Sequence, residues 1–393
     1  MYKRFLLGIA LIALAVGQSS AQQPGSATQP WSAEQPWWYV LEQGKQYFRS
    51  GAYGEALMAF EDARRNRSNQ FTRMEQDMIL LLSDPRVRNL GDSLEYIEMY
   101  IADNRETEAA AALAELYYRF PKESLKGSVK RALEEMDRLK VYPEAEYWLG
   151  ETYRLEGELA LALRQFERAW DARSFLEIPG FEVEILYKIT EIHRLRREYQ
   201  EMERRANEII EGADPSGVPR DTLWAGVSMN SRTSANQIHA AMLRIIENEG
   251  IDRFLSLYRH DNTTPERAHR LLGFFYYASS RYLPAVEHLM FAFLIQNTVL
   301  IEEVKSRQYD FTYTTLENLM ANAGQRPEIL EYLEETEYYR TIYYLASALY
   351  ATGRSRPAMQ LWTFLAGSRN AGEWGERARR NPSPYLDRAV EMP

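Results

Sequence analysis

The chain has 393 residues, with 47 Lys and Arg against 56 Asp and Glu, a formal charge of −9, 26 tyrosines, 8 tryptophans and no cysteine. The missing thiol excludes disulfides, a lipid-modified N-terminal cysteine and thiolate metal sites. The acidic balance argues against general nucleic-acid binding, which needs a basic footprint, and the length allows one long helical array or two lobes.

Residues 1–21 read as a secretory signal peptide. Lys3 and Arg4 precede an apolar run from residue 5 to residue 16, and Ser19, Ser20 and Ala21 offer small side chains for cleavage. The run is short for a membrane crossing and no later segment reaches spanning length without charges, so the mature protein is expected to carry no integral span. An uncleaved anchor is the other reading. Residues 22–36, rich in Gln, Pro, Ala and Ser, predict a flexible linker. Trp31, Trp37 and Trp38 lie on or beside it, placed either to dock on the first helix or to touch a partner or a membrane interface.

Residues 37–212 predict an N-terminal helical lobe. A first hairpin spans 37–63 and carries Gly44, Tyr47, Ala56, Phe60 and Ala63. Residues 71–82 predict a separate helix, followed by a loop over 83–91. Asp92 and Ser93 can cap the next helix, and 106–120 with 123–139 predict another hairpin. From residue 143 the first spacing returns as Gly150, Tyr153, Ala162, Phe166 and Ala169. A degenerate hairpin covers 182–211, after the junction Pro179-Gly180. Residues 213–234 contain Pro215, Gly217, Pro219 and Gly226 and predict an irregular connection between lobes.

Residues 235–393 predict a C-terminal helical lobe. The spacing recurs as Gly273, Tyr276, Ala285, Leu289 and Ala292. Residues 306–315 alternate aromatics at Tyr309, Phe311 and Tyr313, which hints at an extended segment. A weaker fourth copy runs through Leu345, Ala346, Leu349, Ala358 and Trp362, with alanine in place of glycine. Residues 372–393 predict a short capping helix and a loop.

The steps of three, nine, four and three are the same in all three clear copies. They describe two antiparallel helices sharing a small contact point, because interaxial distance follows side-chain size. Gly51, Gly157 and Gly353 fall together in the turn, where a left-handed backbone is wanted. The pattern resembles the tetratricopeptide repeat (TPR), and the resemblance implies an all-α, TPR-like α-solenoid of stacked helix pairs. It covers about a third of the chain, over 37–67, 143–174, 266–297 and 339–370. The family's proline near each unit's end is missing in all four.

No catalytic arrangement accompanies these helices. The five histidines, His193, His239, His260, His269 and His288, show no HExxH spacing, so a metal site could arise only by tertiary convergence. There is no GxSxG, phosphate-cradling glycine loop or GxGxxG. Adjacent carboxylates such as Glu134-Glu135, Glu302-Glu303 and Glu334-Glu335 do not face one another on a helix. No enzyme activity, cofactor or metal is expected.

In the repeat family the first helix of each unit lines a concave groove. The resemblance therefore points to Trp38, Leu41, Lys45, Phe48 and Arg49, to Arg267, Arg270, Phe274 and Tyr277, and to Arg340, Tyr343 and Tyr350 as partner-binding residues. Arginine and aromatic side chains carry much of the energy of protein interfaces, so an acidic or extended partner would suit them. Packing against neighbouring units is the other use for them. The Lys/Asn clamp of chaperone-binding members is not present at these positions.

A leader, a short linker and aromatic-rich repeats also resemble exported spirochaete TPR scaffolds, some of which build the periplasmic collar of the flagellar motor. The resemblance implies a periplasmic, non-catalytic scaffold whose partners are other envelope proteins, including motor collar subunits. Alternatives are a TPR component of a solute transport system that binds a small molecule or lipid, and an outer-membrane or cell-wall assembly adaptor.

Overall fold

A computed structural model describes residues 35–83, 100, 105, 108, 139–213, 235–323 and 326–380. Among the described residues the protein is all-helical, with fifteen α-helices and no strand. The expected leader, most of the linker, Trp31, the helices over 92–139 and the connection after residue 213 lie outside the described residues.

The helices are α1 (Trp37–Arg49), α2 (Tyr53–Ser83), α3 (Pro143–Leu155), α4 (Leu159–Asp171), α5 (Phe181–Leu195) and α6 (Tyr199–Ala213). After these come α7 (Ala235–Asn248), α8 (Ile251–Leu257), α9 (Glu266–Ala278), α10 (Tyr282–Arg307), α11 (Leu316–Ala323) and α12 (Pro327–Glu335). The last three are α13 (Tyr338–Ala351), α14 (Ser355–Gly367) and α15 (Gly372–Arg380). Adjacent helices pack in pairs: α1 with α2, α3 with α4, α5 with α6, α9 with α10 and α13 with α14. The second helix of a pair also meets the next pair, α2 on α3, α4 on α5, α6 on α9 and α10 on α13, and α15 closes on α14.

All five pairs turn in the same way. The residue seven places after the crossing position is left-handed at Gly51, Arg197 and Ser280 (φ 78°, 61° and 58°) and likewise at Gly157 and Gly353. The next amide then reaches back five residues, as in Ala52 N to Tyr47 O at 3.0 Å, Glu158 N to Tyr153 O at 2.9 Å and Glu198 N to His193 O at 2.9 Å. Arg281 N to Tyr276 O and Arg354 N to Leu349 O repeat it at 2.8 Å. This bond satisfies a carbonyl that the helix end leaves open.

The shared turn reveals a register that the sequence hides. Counting back from Arg197 puts Thr190, His193, Met202, Ala206 and Ile209 at the five register positions of α5 and α6, and all five are buried. The volumes are exchanged. A methyl on Gly44 would lie 2.5 Å from the ring of Phe60, and one on Gly150 2.8 Å from that of Phe166. Where Thr190 replaces the glycine, the facing residue is Ala206 instead of a phenylalanine. The glycine therefore makes room for a ring, rather than only letting it approach the alanine four residues earlier. The remaining register residues Ala56, Ala63, Ala162, Ala169, Ala285, Ala292, Ala346 and Ala358 are also buried, while Tyr47 and Tyr153 are partly covered.

Three local expectations need correction. Helix α2 runs unbroken through the expected gap at 64–70, because no Gly or Pro interrupts it after Gly54. Helix α10 likewise continues past residue 297, where the repeat pattern ends, to Arg307. The extended segment expected over 306–315 begins later, since residues 306–307 close α10; in 308–315, which form neither helix nor strand, Tyr313 turns inward and donates to Asp252 Oδ1 at 2.9 Å, while Tyr309 is fully exposed. By length and composition α10 could cross a bilayer, but 78% of its apolar window is buried inside the protein. It is apolar all round because other helices surround it.

The first two pairs are joined by a buried arginine. The guanidinium of Arg67, on α2, lies 4.4 Å from the ring centres of both Trp37 and Tyr142, and reaches Glu177 at 3.3 Å. Trp37 and Tyr142 meet edge to face at 4.9 Å, so Trp37 docks inward. Arg67→Ala removes both stacked contacts and leaves a gap, and is expected to destabilise the protein by about 3 kcal/mol. Chemical unfolding of wild type and variant checks this.

Candidate functional site

Helices α5, α9 and α13 are each the first of a pair and bring their side chains to one cleft. On α5, Gly180 (φ 82°) sets the entry, and Glu182 and Glu184 in the first turn with His193 and Arg194 in the last match the helix dipole. Glu184, Tyr187, Glu191 and Arg194 recur every three or four residues and so share a face. Helix α9 brings Arg267, Arg270 and Phe274, and the cap of α13 brings Glu337, to which Arg340 of α13 is paired.

Tyr187 pins α5 to the start of α9: its hydroxyl donates to Thr264 O at 2.6 Å and accepts from Ala268 N at 3.2 Å. Arg267 packs over the Tyr187 ring at 4.9 Å and lies 3.5 Å from Glu191 and 3.9 Å from Glu184. Arg270 donates to Glu266 Oε1 at 3.0 Å and also pairs with Glu337. Gln296, from α10, donates to the same Glu266 oxygen at 2.7 Å and to Thr336 O at 2.8 Å. Arg340 pairs with Glu337 and packs 4.6 Å over the ring of Phe274. Burial pushes the Glu266 carboxyl up, against the pull of Arg270 and Gln296. These pairs leave a cleft of about 150 Å³ whose walls include Tyr187, Thr190, Glu191, Arg194, Arg267 and Phe274.

Four of the expected groove residues are in the core. Leu41, Phe274, Tyr277 and Tyr343 are at most 5% exposed. Phe274 and Tyr277 lie 5.5 and 5.0 Å from Tyr344, and Tyr343 lies 5.5 Å from Trp374. Large aromatics on these first helices fill the space between pairs and are lost to a partner. Tyr350 is half-buried against Trp362 at 5.5 Å. Arg267 and Arg270 reach the cleft but are tied to carboxylates, and Arg340 is held by Glu337 outside its lining. On α1, Phe48 packs edge to face on Trp148 at 5.3 Å and Lys45 lies 5.8 Å over the same ring, while Trp38 and Arg49 are exposed. Tyr187, Glu191, Arg194, Glu337 and Trp148 are not among the residues that the repeat pattern points to. The three- and four-residue steps along α5 are the one signal that could have found the first three.

Four histidines do converge. The rings of His239, His260 and His269 lie 4.8, 6.3 and 5.1 Å from that of Phe291, and His269 Nδ1 is 3.0 Å from His288 Nδ1. One of those two nitrogens donates and the other accepts. Among the described residues no group of three or more His, Asp or Glu is placed to hold a metal ion.

No family model matches the chain. It is similar to an uncharacterized protein of Treponema pallidum (strain Nichols), 25% identical over 343 residues, which covers 87% of this chain and 88% of the relative. It is also similar to an uncharacterized protein of Borreliella burgdorferi, 23% identical over 237 residues, or 59% of this chain and 73% of the relative.

Proposed function

We propose that the chain is an exported, non-catalytic scaffold built as a TPR-like α-solenoid, which binds protein segments along the face made by its first helices. The observation that carries this reading is the cleft where Tyr187 and Arg194 of α5 meet Arg267, Arg270 and Phe274 of α9, beside Glu337 at the start of α13. The five identical turn bonds support a repeat architecture, in which each unit contacts mainly its neighbours. Export to the periplasm rests on the leader-like residues 1–21. The setting we favour is an envelope assembly such as the spirochaete flagellar-motor collar, in keeping with relatives that come from spirochaetes.

The transporter alternative calls for an apolar pocket. Three wider clefts, each of about 590 or 600 Å³, instead carry Arg64, Arg65, Lys140 and Arg168 in one, Asp171, Arg173 and Glu182 in another, and Glu334, Glu337, Arg340 and Glu373 in the third. Charged walls of this kind suit protein contacts better than a lipid tail.

In-cell crosslinking of the exported protein followed by mass spectrometry tests the proposal. Recovery of motor or other envelope-machine subunits is expected. Recovery of a solute transporter alone, or of no protein, would overturn it.

A further inference from the structure

Around this cleft every arginine but one is tied to a carboxylate. Arg267 is held by Glu191 and Glu184, while Arg270 and Arg340 share Glu337. The guanidinium of Arg194 lines the same cleft, is half-buried, and has neither a hydrogen bond nor an ion pair among the described residues. Burial disfavours its charge, Glu191 and Glu337 partly offset this from a distance, and Arg267 and Arg340 add to the cost. A cation kept in this position lacks the close anion that buried charges ordinarily have.

We propose that Arg194 is the receptor for one carboxylate, a Glu or Asp side chain of an acidic peptide segment that enters the cleft between α5, α9 and α13. The inference deepens the scaffold reading and rests on it for the ligand being a protein segment. The chemistry fits. A guanidinium offers a planar pair of donors that matches a carboxylate. The cleft of about 150 Å³ admits a group of that size. Glu191 and Glu337 in its walls repel a doubly charged phosphate more strongly than a singly charged carboxylate. Arg267, held by its glutamates over the Tyr187 ring, supplies a second positive wall.

The test uses the purified full chain and a fluorescent hexaglutamate peptide, with hexaglutamine as the neutral control. Wild type should bind hexaglutamate saturably, more weakly as salt rises, and should not bind hexaglutamine. Arg194→Gln should weaken hexaglutamate binding about tenfold or more, Arg194→Lys should keep part of it, and Arg204→Gln, on the exposed side of second helix α6, should leave it unchanged. Arg194 holds no internal pair, so circular dichroism should find the variants folded. Equal binding by Arg194→Gln and wild type, or no binding by wild type, would overturn the proposal. The crosslinking result is independent. If envelope subunits are captured but hexaglutamate does not bind, the anion site falls and the scaffold stands; if hexaglutamate binding needs Arg194 but capture fails, the scaffold falls.

Discussion

Gly273→Leu is expected to cost about 3 kcal/mol of stability, concentrated in the pair α9 and α10. A methyl on Gly273 would already lie 2.5 Å from Leu289 Cγ and 3.2 Å from the Leu289 backbone nitrogen, so a leucine has no space without parting the helices. Hydrogen exchange across α9 and α10 should report the loss locally, and denaturant unfolding should report it globally. Two controls separate crowding from a general dislike of replaced glycines. A methyl on Gly54 would meet nothing within 4 Å, and Gly54→Ala should be neutral or stabilise by up to about 1 kcal/mol. Combining Gly273→Ala with Leu289→Ala should be less harmful than the sum of the two single changes, because the protein already uses that exchange at Thr190 and Ala206. Additive costs would mean that the two residues do not share one space.

Acid is expected to loosen the histidine cluster. Burial pushes His269 well below the usual imidazole range, with the neighbouring His288, His260 and His239 adding to it. Burial likewise pushes His239 down, and takes His288 to about 4. A neutral buried histidine lowers stability as pH falls, because the unfolded chain takes up its proton first. For His288 the loss begins as pH drops below about 6.5 and is complete near pH 4. The full shift would be worth about 3 kcal/mol, and the part of the ring left at the surface reduces this to about 2 kcal/mol. Glu144, Glu146, Glu266, Glu287 and Asp252 are pushed up by burial and act with the opposite sign over part of this range. The informative quantity is therefore the difference between wild type and His288→Gln. Wild type should lose more stability than the variant between pH 7 and pH 4.5, and parallel curves would contradict the assignment. The His288 ring titration followed by NMR should also have a midpoint below 6.5.

Much of the helix pairing is legible in the sequence wherever glycine faces a large apolar residue. Gly44 with Phe60, Gly150 with Phe166 and Gly273 with Leu289 each announce a close crossing by residue size alone. The pair α5 and α6 is not legible in register because Thr190 and Ala206 put the larger residue on the first helix and the smaller on the second. Its left-handed turn residue is Arg197, a residue type that gives no turn signal. The unbroken α2 is hidden because the polar stretch around residues 64–70 looks like a gap, although it contains no helix breaker.

The site is less legible than the fold. A repeat pattern says which helix lines a face, but not which side chains on it are used up by neighbouring pairs. Phe274, Tyr277 and Tyr343 carry the composition of an interface and serve as core. Arg194 carries no motif at all, and only the pairing of every other charge around it makes it conspicuous. Carboxylates from α5 and the α13 cap meet arginines from α9, and none of those partners is close in sequence.

Position-resolved photocrosslinking in cells tests the central claim most directly. A photoreactive side chain is placed at Trp38 or Arg267, exposed on first helices, and separately at Leu161 or Met359, exposed on second helices. The account predicts protein adducts from the first-helix positions and few from the second-helix positions. Adducts confined to Leu161 and Met359, or none at any of the four, would contradict it.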